Sequence, residues 1–77
     1  MKEQDLIDLG FKKEYSDTKW YYYTYDLAEG FSLITNASDE LLDNEWYVEV
    51  FESEKIRFVD RKEIEEFINI VKKNSNE

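Results

Sequence analysis

The stretch WYVEVFESEKIRFVDRKEIEEFINIVKK, residues 46–73, decides the fold, because it is typical of a β-hairpin that runs directly into an amphipathic helix. In its first half, apolar and polar side chains alternate, and this period of two indicates half-buried strands. The alternation predicts strands at about 46–51 and 56–59, joined by a turn at ESEK, residues 52–55. Such a hairpin buries one of its faces, so it requires a second layer.

That second layer is the helix at the end of the stretch, which we expect at about 61–73. Asp60 occupies the N-cap position and Glu63 lies three positions later, as in a capping box. The apolar residues that follow share one stripe of a period of about 3.6 residues, namely Ile64, Phe67, Ile68 and Val71. The helix is therefore predicted to lie across one face of a sheet, with Phe67 in the core.

The first half of the chain predicts one more helix and three more strands. A short helix is expected at about 3–9, and Gly10 follows it, where a left-handed residue ends many helices. Runs of β-forming residues predict strands at about 11–15, 20–27 and 31–35, of which the last two pair as a hairpin.

Three polar segments are expected outside these elements. They are a turn at 16–18, a loop at 36–45 with a helical turn after Ser38, and a disordered tail at 74–77. Residues 1–77 are therefore expected to form a single α+β domain, an antiparallel sheet of four or five strands with a short N-terminal helix and a C-terminal amphipathic helix packed on one face. The sheet residues expected in the core are Phe31, Leu33, Val48, Val50, Ile56 and Phe58.

The charge of the chain is strongly negative and unevenly distributed. The formal net charge is −9, and the segment from Trp20 to Glu54 contains nine acidic residues but no Lys or Arg. Such a segment repels phosphate backbones and anionic lipid surfaces, because binding to either depends on Lys and Arg. Nucleic acid and membranes are therefore not expected as partners. The excess charge either keeps a small aromatic-rich domain soluble or attracts a basic partner.

The side chains that most enzymes use for acid–base and nucleophilic chemistry are missing, since the chain has no His and no Cys. Its two glycines, Gly10 and Gly30, are too far apart to form a nucleotide-binding loop. Two carboxylates alone can run a hydrolase, but no pair stands out among the many present. We therefore expect a non-enzymatic protein with no catalytic residue and no cofactor.

The carboxylates of the long loop, Asp39, Glu40, Asp43 and Glu45, have two interpretations. Clustered carboxylates are ligands for calcium, but their spacing lacks the alternation and the central Gly of an EF-hand. The other interpretation is a solvated acidic loop, and no metal site is predicted.

Aromatic residues are the other conspicuous feature, with six Tyr, five Phe and two Trp. The helices cover only one face of the sheet, so some rings are expected on the other face. Exposed rings edged by carboxylates suit a protein partner with a basic surface, whereas the alternative is that the tyrosines pack on the sheet with only their hydroxyls wet. The predicted interaction surface consists of Asp26, Glu29, Asp39, Glu40, Asp43, Glu45, Tyr47, Glu49, Phe51 and Glu52.

Five segments together resemble a pattern seen in small proteins encoded by phages, prophages and other mobile elements: LGF, WYYYTYDL, SLITNASDE, WYVEVF and IRFVDRKEIEEFI. The pattern carries no catalytic motif, so it assigns no role to any residue. The resemblance implies a context, since small acidic proteins of this origin often bind a host protein, and some occupy sites meant for nucleic acid.

The sequence thus predicts a protein-interaction module, in the form of an inhibitor or nucleic-acid mimic that presents its acidic middle segment to a basic protein surface. The alternative is a self-associating structural protein, a homodimer through its aromatic sheet face. A third interpretation, a small ligand between the sheet and loop 36–45, depends only on Trp46 and nearby tyrosines. With no Cys, no signal peptide and no apolar run near the roughly 20 residues of a membrane span, a cytoplasmic location is expected.

Overall fold

The computed structural model describes residues 1–16 and 19–75, apart from the side chains of residues 54, 74 and 75. The described residues form two α-helices, α1 (Glu3–Leu9) and α2 (Arg61–Ser75), and a 3₁₀ turn, Ser38–Glu40. They also form one antiparallel sheet whose strands lie side by side in chain order: β1 (Lys12–Tyr15), β2 (Tyr21–Ala28), β3 (Phe31–Thr35), β4 (Val48–Val50) and β5 (Ser53–Phe58). The predicted α+β architecture is confirmed.

Helix α1 ends where the glycine pattern predicts. Gly10 has φ +99°, in the left-handed region that favours glycine. The N–H groups of Gly10 and Phe11 donate to the carbonyls of Ile7 and Leu6, at 3.1 Å and 3.0 Å. These two bonds form a Schellman ending, which turns the chain directly from α1 into β1.

The strand register places alternate side chains on two different faces of the sheet. Ile34 of β3 pairs with Glu49 of β4, and Leu33 pairs with Val50. Neighbouring residues of a strand point to opposite faces, so Leu33 and Ile34 lie on opposite sides of the sheet. The burial agrees with this, because Leu33 is fully buried whereas Ile34 is only half-buried.

Both helices pack on the face that carries Leu33. Leu6 of α1 and Ile64 of α2 are fully buried there, as is Val48 of β4. They belong to one apolar cluster that also contains Phe11, Tyr23, Leu27, Trp46 and Ile68. The helix covers one face of the sheet as predicted, but Phe67 of α2, predicted in the core, is only half-buried and packs against this cluster from its edge.

Five of the six sheet residues predicted for the core do belong to it. Leu33 and Val48 are buried, and Phe31, Val50 and Phe58 are partly buried against the core. The prediction was wrong for Ile56, which is 45% exposed. Arg57 pairs with Glu49, but the next pair along is Ser53 with Val50. The residues between Ser53 and Arg57 therefore bulge out of the ladder, and Ile56 has no partner that holds it on the helix side.

The strand predicted at 46–51 is shorter than expected. The N–H of Trp46 donates to the Met1 carbonyl at 2.8 Å, and the N–H of Tyr47 donates to Asn36 Oδ1 at 3.0 Å. Because these donors bond outside the sheet ladder, β4 begins only after them.

The turn predicted at 52–55 lies earlier. It consists of Phe51 and Glu52, and Glu52 adopts a left-handed φ of +68°. This two-residue turn lets β5 begin at Ser53. Residues 53–55, which were predicted to be part of the turn, therefore belong to a strand.

The remaining bounds differ slightly from prediction. The strands expected at 11–15 and 20–27 each begin one residue later, and α2 continues to residue 75. Residues 74–75 of the predicted disordered tail are therefore helical. Residues 76–77, and residues 17–18 of the predicted polar turn, lie outside the described residues.

Candidate functional site

The face of the sheet opposite the helices is the candidate site, and we call it the open face. Its strand residues are only partly buried or exposed, and they are Lys12, Glu14, Tyr22, Thr24, Asp26, Ser32, Ile34, Glu49 and Arg57. Three aromatic residues lie at its rim, Trp20, Tyr47 and Phe51. Ile34 is central, since it pairs with Thr24 on one side and with Glu49 on the other.

Three shallow depressions of the described surface meet at Ile34, which lines all of them. A depression of about 500 Å³ extends from Ile34 to Tyr47 and Phe51. A second, of about 410 Å³, extends to Trp20 and Tyr22, and a third of about 220 Å³ lies between Tyr22 and Phe51. Aromatic rings therefore surround a central isoleucine, on a face whose other side chains are mostly polar or charged.

One side of the open face contains a cation held by a ring and a carboxylate. The Arg57 guanidinium carbon lies 4.1 Å from the centre of the Tyr47 ring. The Nε and Nη2 atoms of Arg57 both donate to Glu49 Oε2, at 3.3 Å and 3.0 Å. Arg57 therefore neutralises Glu49, whose side chain is only 16% exposed.

The other side combines two rings with two carboxylates. The ring centroids of Trp20, which directly precedes β2, and Tyr22, the second residue of β2, are 6.2 Å apart. Asp39 and Glu40 of the 3₁₀ turn line the same depression as these rings. Aromatic faces and carboxylates both attract cations, so this arrangement is suited to bind a positively charged group.

The 3₁₀ turn is held against the sheet by specific hydrogen bonds. Ser38 Oγ accepts from the Tyr21 N–H at 3.1 Å, which ties the turn to the start of β2. Glu40 Oε1 accepts from the Ala37 N–H at 3.0 Å, which caps the turn. The two carboxylates therefore sit on a positioned turn and not on a free loop.

Two buried polar residues, Thr35 and Asn36, fix the neighbouring backbone. Thr35 Oγ1 accepts from the Tyr23 N–H at 2.9 Å. Asn36 Oδ1 accepts from the Tyr47 N–H at 3.0 Å, and Asn36 Nδ2 donates to the Glu45 carbonyl at 3.4 Å. Because buried amides are costly to leave unpaired, these bonds hold the Tyr47 rim in place.

Seven of the ten residues predicted for the interaction surface line the depressions of the open face: Asp26, Asp39, Glu40, Tyr47, Glu49, Phe51 and Glu52. Glu29, Asp43 and Glu45 line none of the three. Glu45 is paired elsewhere, 3.1 Å from the Met1 ammonium and 3.9 Å from Lys2 Nζ.

Four further residues of this surface were not predicted from the sequence: Trp20, Tyr22, Ile34 and Arg57. A signal existed for Trp20 and Tyr22, since they alternate with the tyrosines that face the helices. Alternation with Phe58 also places Arg57 on this face, but no local pattern identifies its partners Tyr47 and Glu49, which belong to the preceding strand and its approach.

A calcium site is one of the two interpretations of the loop acids Asp39, Glu40, Asp43 and Glu45. Within the described part of the chain, no group of three or more carboxylates is placed to hold a metal ion. The calcium interpretation of the loop therefore gains no support.

Neither helix, as far as the described residues extend, is both long enough and apolar enough to cross a membrane.

Comparison of the chain with protein-family models, with curated proteins and with solved structures finds no match, so the resemblance to phage and mobile-element proteins stays a prediction.

Proposed function

We propose that this chain is a non-enzymatic protein-interaction module that docks a partner with a basic surface on its open face. The observation that carries the proposal is the sheet face left uncovered by the helices, with aromatic rings around Ile34 and carboxylates on both sides. Trp and Tyr rings anchor protein interfaces, because they bury a large apolar area and keep a polar atom at the edge.

The charge of the open face supports a basic partner. Among the described residues of this face, carboxylates outnumber cations, and both basic side chains, Lys12 and Arg57, contact a carboxylate of the same face. Lys12 Nζ lies 3.8 Å from Glu14, and Arg57 is bonded to Glu49. The remaining negative charge accelerates encounter with a positive surface. An inhibitor or nucleic-acid mimic is the finer form of this proposal, with carboxylates presented in place of phosphates.

A second copy of the chain is a less suitable occupant of the open face. Two such faces in contact would bring carboxylates together, and a net charge of −9 on each copy opposes association. Sedimentation velocity is therefore expected to show one species of 9.4 kDa at all concentrations. A stable homodimer that protects Tyr47 and Phe51 would favour the self-associating alternative.

The proposal is tested by affinity capture of partner proteins from an extract of the source cell. Two double variants of the chain with the same net charge are compared. Asp39→Lys/Glu52→Lys reverses two exposed charges beside the open face. Glu63→Lys/Glu66→Lys makes the same change in charge on the exposed side of α2. A partner bound through the open face is expected to be lost with the first variant and kept with the second.

Salt provides the second arm of this capture experiment. Recovery of the partner is expected to fall between low and high ionic strength, because exposed charge pairs are screened by salt. Recovery that is equal for both double variants, or that does not depend on salt, would contradict the proposed docking surface.

A further inference from the structure

The depression beside Trp20 and Tyr22 differs from its neighbour in one respect. The neighbouring depression contains the chain's own cation, Arg57, on the Tyr47 ring. Among the residues that the structure describes, those that line the Trp20 depression include no Lys or Arg, and they are Ser16, Trp20, Tyr22, Ile34, Thr35, Ala37, Asp39 and Glu40. The same combination of ring and carboxylate is therefore present twice on the open face, once with a cation of the chain and once without one.

The first site indicates what the second is suited to bind. At the first, a planar guanidinium lies over a ring and donates twice to one carboxylate oxygen. Arginine is suited to this geometry, since its flat face stacks on aromatic rings while its edge carries a fork of donors. Lysine has a compact charge without that flat face, so it gains less from the same pair of partners.

The carboxylates of the second site are positioned to serve as acceptors. Glu40 uses one oxygen, Oε1, to cap Ala37, which fixes its side chain near the depression. Asp39 is exposed at the same turn, and Ser38 ties that turn to β2. A site arranged before binding loses less conformational entropy when the ligand arrives.

We infer that this depression accepts an arginine side chain of the partner, with the guanidinium over the Trp20–Tyr22 rings and its N–H groups donating to Asp39 and Glu40. The inference rests on the proposed function and deepens it, because it names an arginine side chain as the part of the partner's basic surface that binds the open face.

The test is an NMR titration of the ¹⁵N-labelled chain with Nα-acetyl-arginine N-methylamide. The chain provides its own control, since Trp20 lines the depression whereas Trp46 is 2% exposed in the core. The Trp20 indole N–H signal is expected to move, and the Trp46 signal is expected to stay. The norleucine analogue, which lacks the charge, is expected to move neither, and the lysine analogue is expected to bind more weakly than the arginine probe.

Two variants test the assigned partners. Asp39→Asn keeps the shape of the side chain and removes its charge, and Trp20→Leu removes the ring. Each is expected to weaken the arginine probe about two- to fivefold, followed on the backbone amides of Tyr22 and Glu40. Glu63→Gln on α2 is the matched control and is expected to change nothing. An unmoved Trp46 signal shows that each variant remains folded.

Several outcomes would overturn the assignment. They are equal shifts with the norleucine analogue, equal affinity for the lysine analogue, or an Asp39→Asn variant that binds as tightly as the unchanged chain. If affinity capture of the partner depends on the open-face charges but the arginine probe does not bind, the arginine site at the Trp20 depression is wrong and the docking face is still supported. If the arginine probe binds but recovery of the partner does not depend on those charges, the arginine site is supported and the proposed function is wrong.

Discussion

Arg57 lies over Tyr47, with its guanidinium carbon 4.1 Å from the ring centre, and the same guanidinium bonds to Glu49. The three side chains come from β5, from β4 and from the segment just before β4. The acidic middle of the chain is thus partly neutralised by a cation from the end of the sheet. A partner that docks here meets a ring and a carboxylate that already have a cation.

Removal of that cation is expected to strengthen binding of basic ligands. Arg57→Gln leaves the Tyr47 ring and the Glu49 carboxylate accessible to a cation of the ligand. The affinity for an oligo-arginine peptide is expected to rise about two- to fivefold, which corresponds to one exposed cation–ring or ion-pair contact. Fluorescence anisotropy of a labelled peptide measures it. Lys62→Gln on α2 makes the same charge change away from the face, and a larger gain there would refute the explanation.

Neighbouring residues of β3 test which face of the sheet is the core. Leu33→Ala removes a fully buried side chain and is expected to cost about 2–5 kcal/mol. Ile34→Ala changes the half-buried residue of the open face and is expected to cost about 1 kcal/mol. Urea unfolding measures both free energies. Equal losses, or a larger loss for Ile34→Ala, would show that the assignment of the two faces is wrong.

The Asp5 carboxylate links stability to acidic pH. Its pKa is lowered from 3.8, first because it accepts the Lys2 N–H and second because it accepts from Arg61 Nη1 at 3.1 Å. A lowered folded-state pKa means that this contribution is complete above about pH 4 and is lost as the pH falls through the folded-state value. Arg61→Gln is expected to raise the Asp5 midpoint in a carboxyl NMR titration, but not fully, since the Lys2 bond remains. An unchanged Asp5 midpoint would show that Arg61 does not contribute to the lowered pKa of Asp5.

Tyr23 links stability to alkaline pH. Its pKa is raised above the ordinary value, first by burial and then by the hydrogen bond that its hydroxyl donates to Glu3. A raised folded-state pKa means that the contribution is complete below about pH 10 and is lost as the pH rises through the folded-state value. The thermal midpoint is therefore expected to fall more steeply above about pH 10 in the unchanged chain than in Tyr23→Phe. An equally steep fall in Tyr23→Phe would remove the Tyr23 hydroxyl as the cause.

The fold could be predicted from the sequence where local patterns agree with tertiary contacts. Gly10 marks the end of α1 because only a left-handed residue completes the hydrogen bonds there. The apolar stripe that contains Ile64 and Ile68 identifies the buried side of α2, because the helical period of the sequence agrees with the packing of the helix on the sheet. The start of β5 could not be predicted, because Glu52 adopts a positive φ without being glycine. Nothing in the residue types of that turn indicates it.

The candidate site was only partly predictable, because its contacts join residues that are distant in sequence. Tyr47 and Phe51 follow from alternation along one hairpin. The positions of Asp39 and Glu40 depend on bonds between the 3₁₀ turn and β2, such as Tyr21 to Ser38. Composition indicates that carboxylates are abundant, but only the fold separates those beside the rings from Glu45, which binds the Met1 ammonium.

The most direct test of the docking face is an NMR titration of the isoleucine methyl groups with an oligo-arginine peptide. Ile34 lies at the centre of the open face, Ile70 is 58% exposed on α2, and Ile64 is fully buried. The Ile34 methyl signal is expected to move to saturation while the signals of Ile70 and Ile64 stay. A peptide that saturates the chain and moves Ile70 but not Ile34 would contradict it.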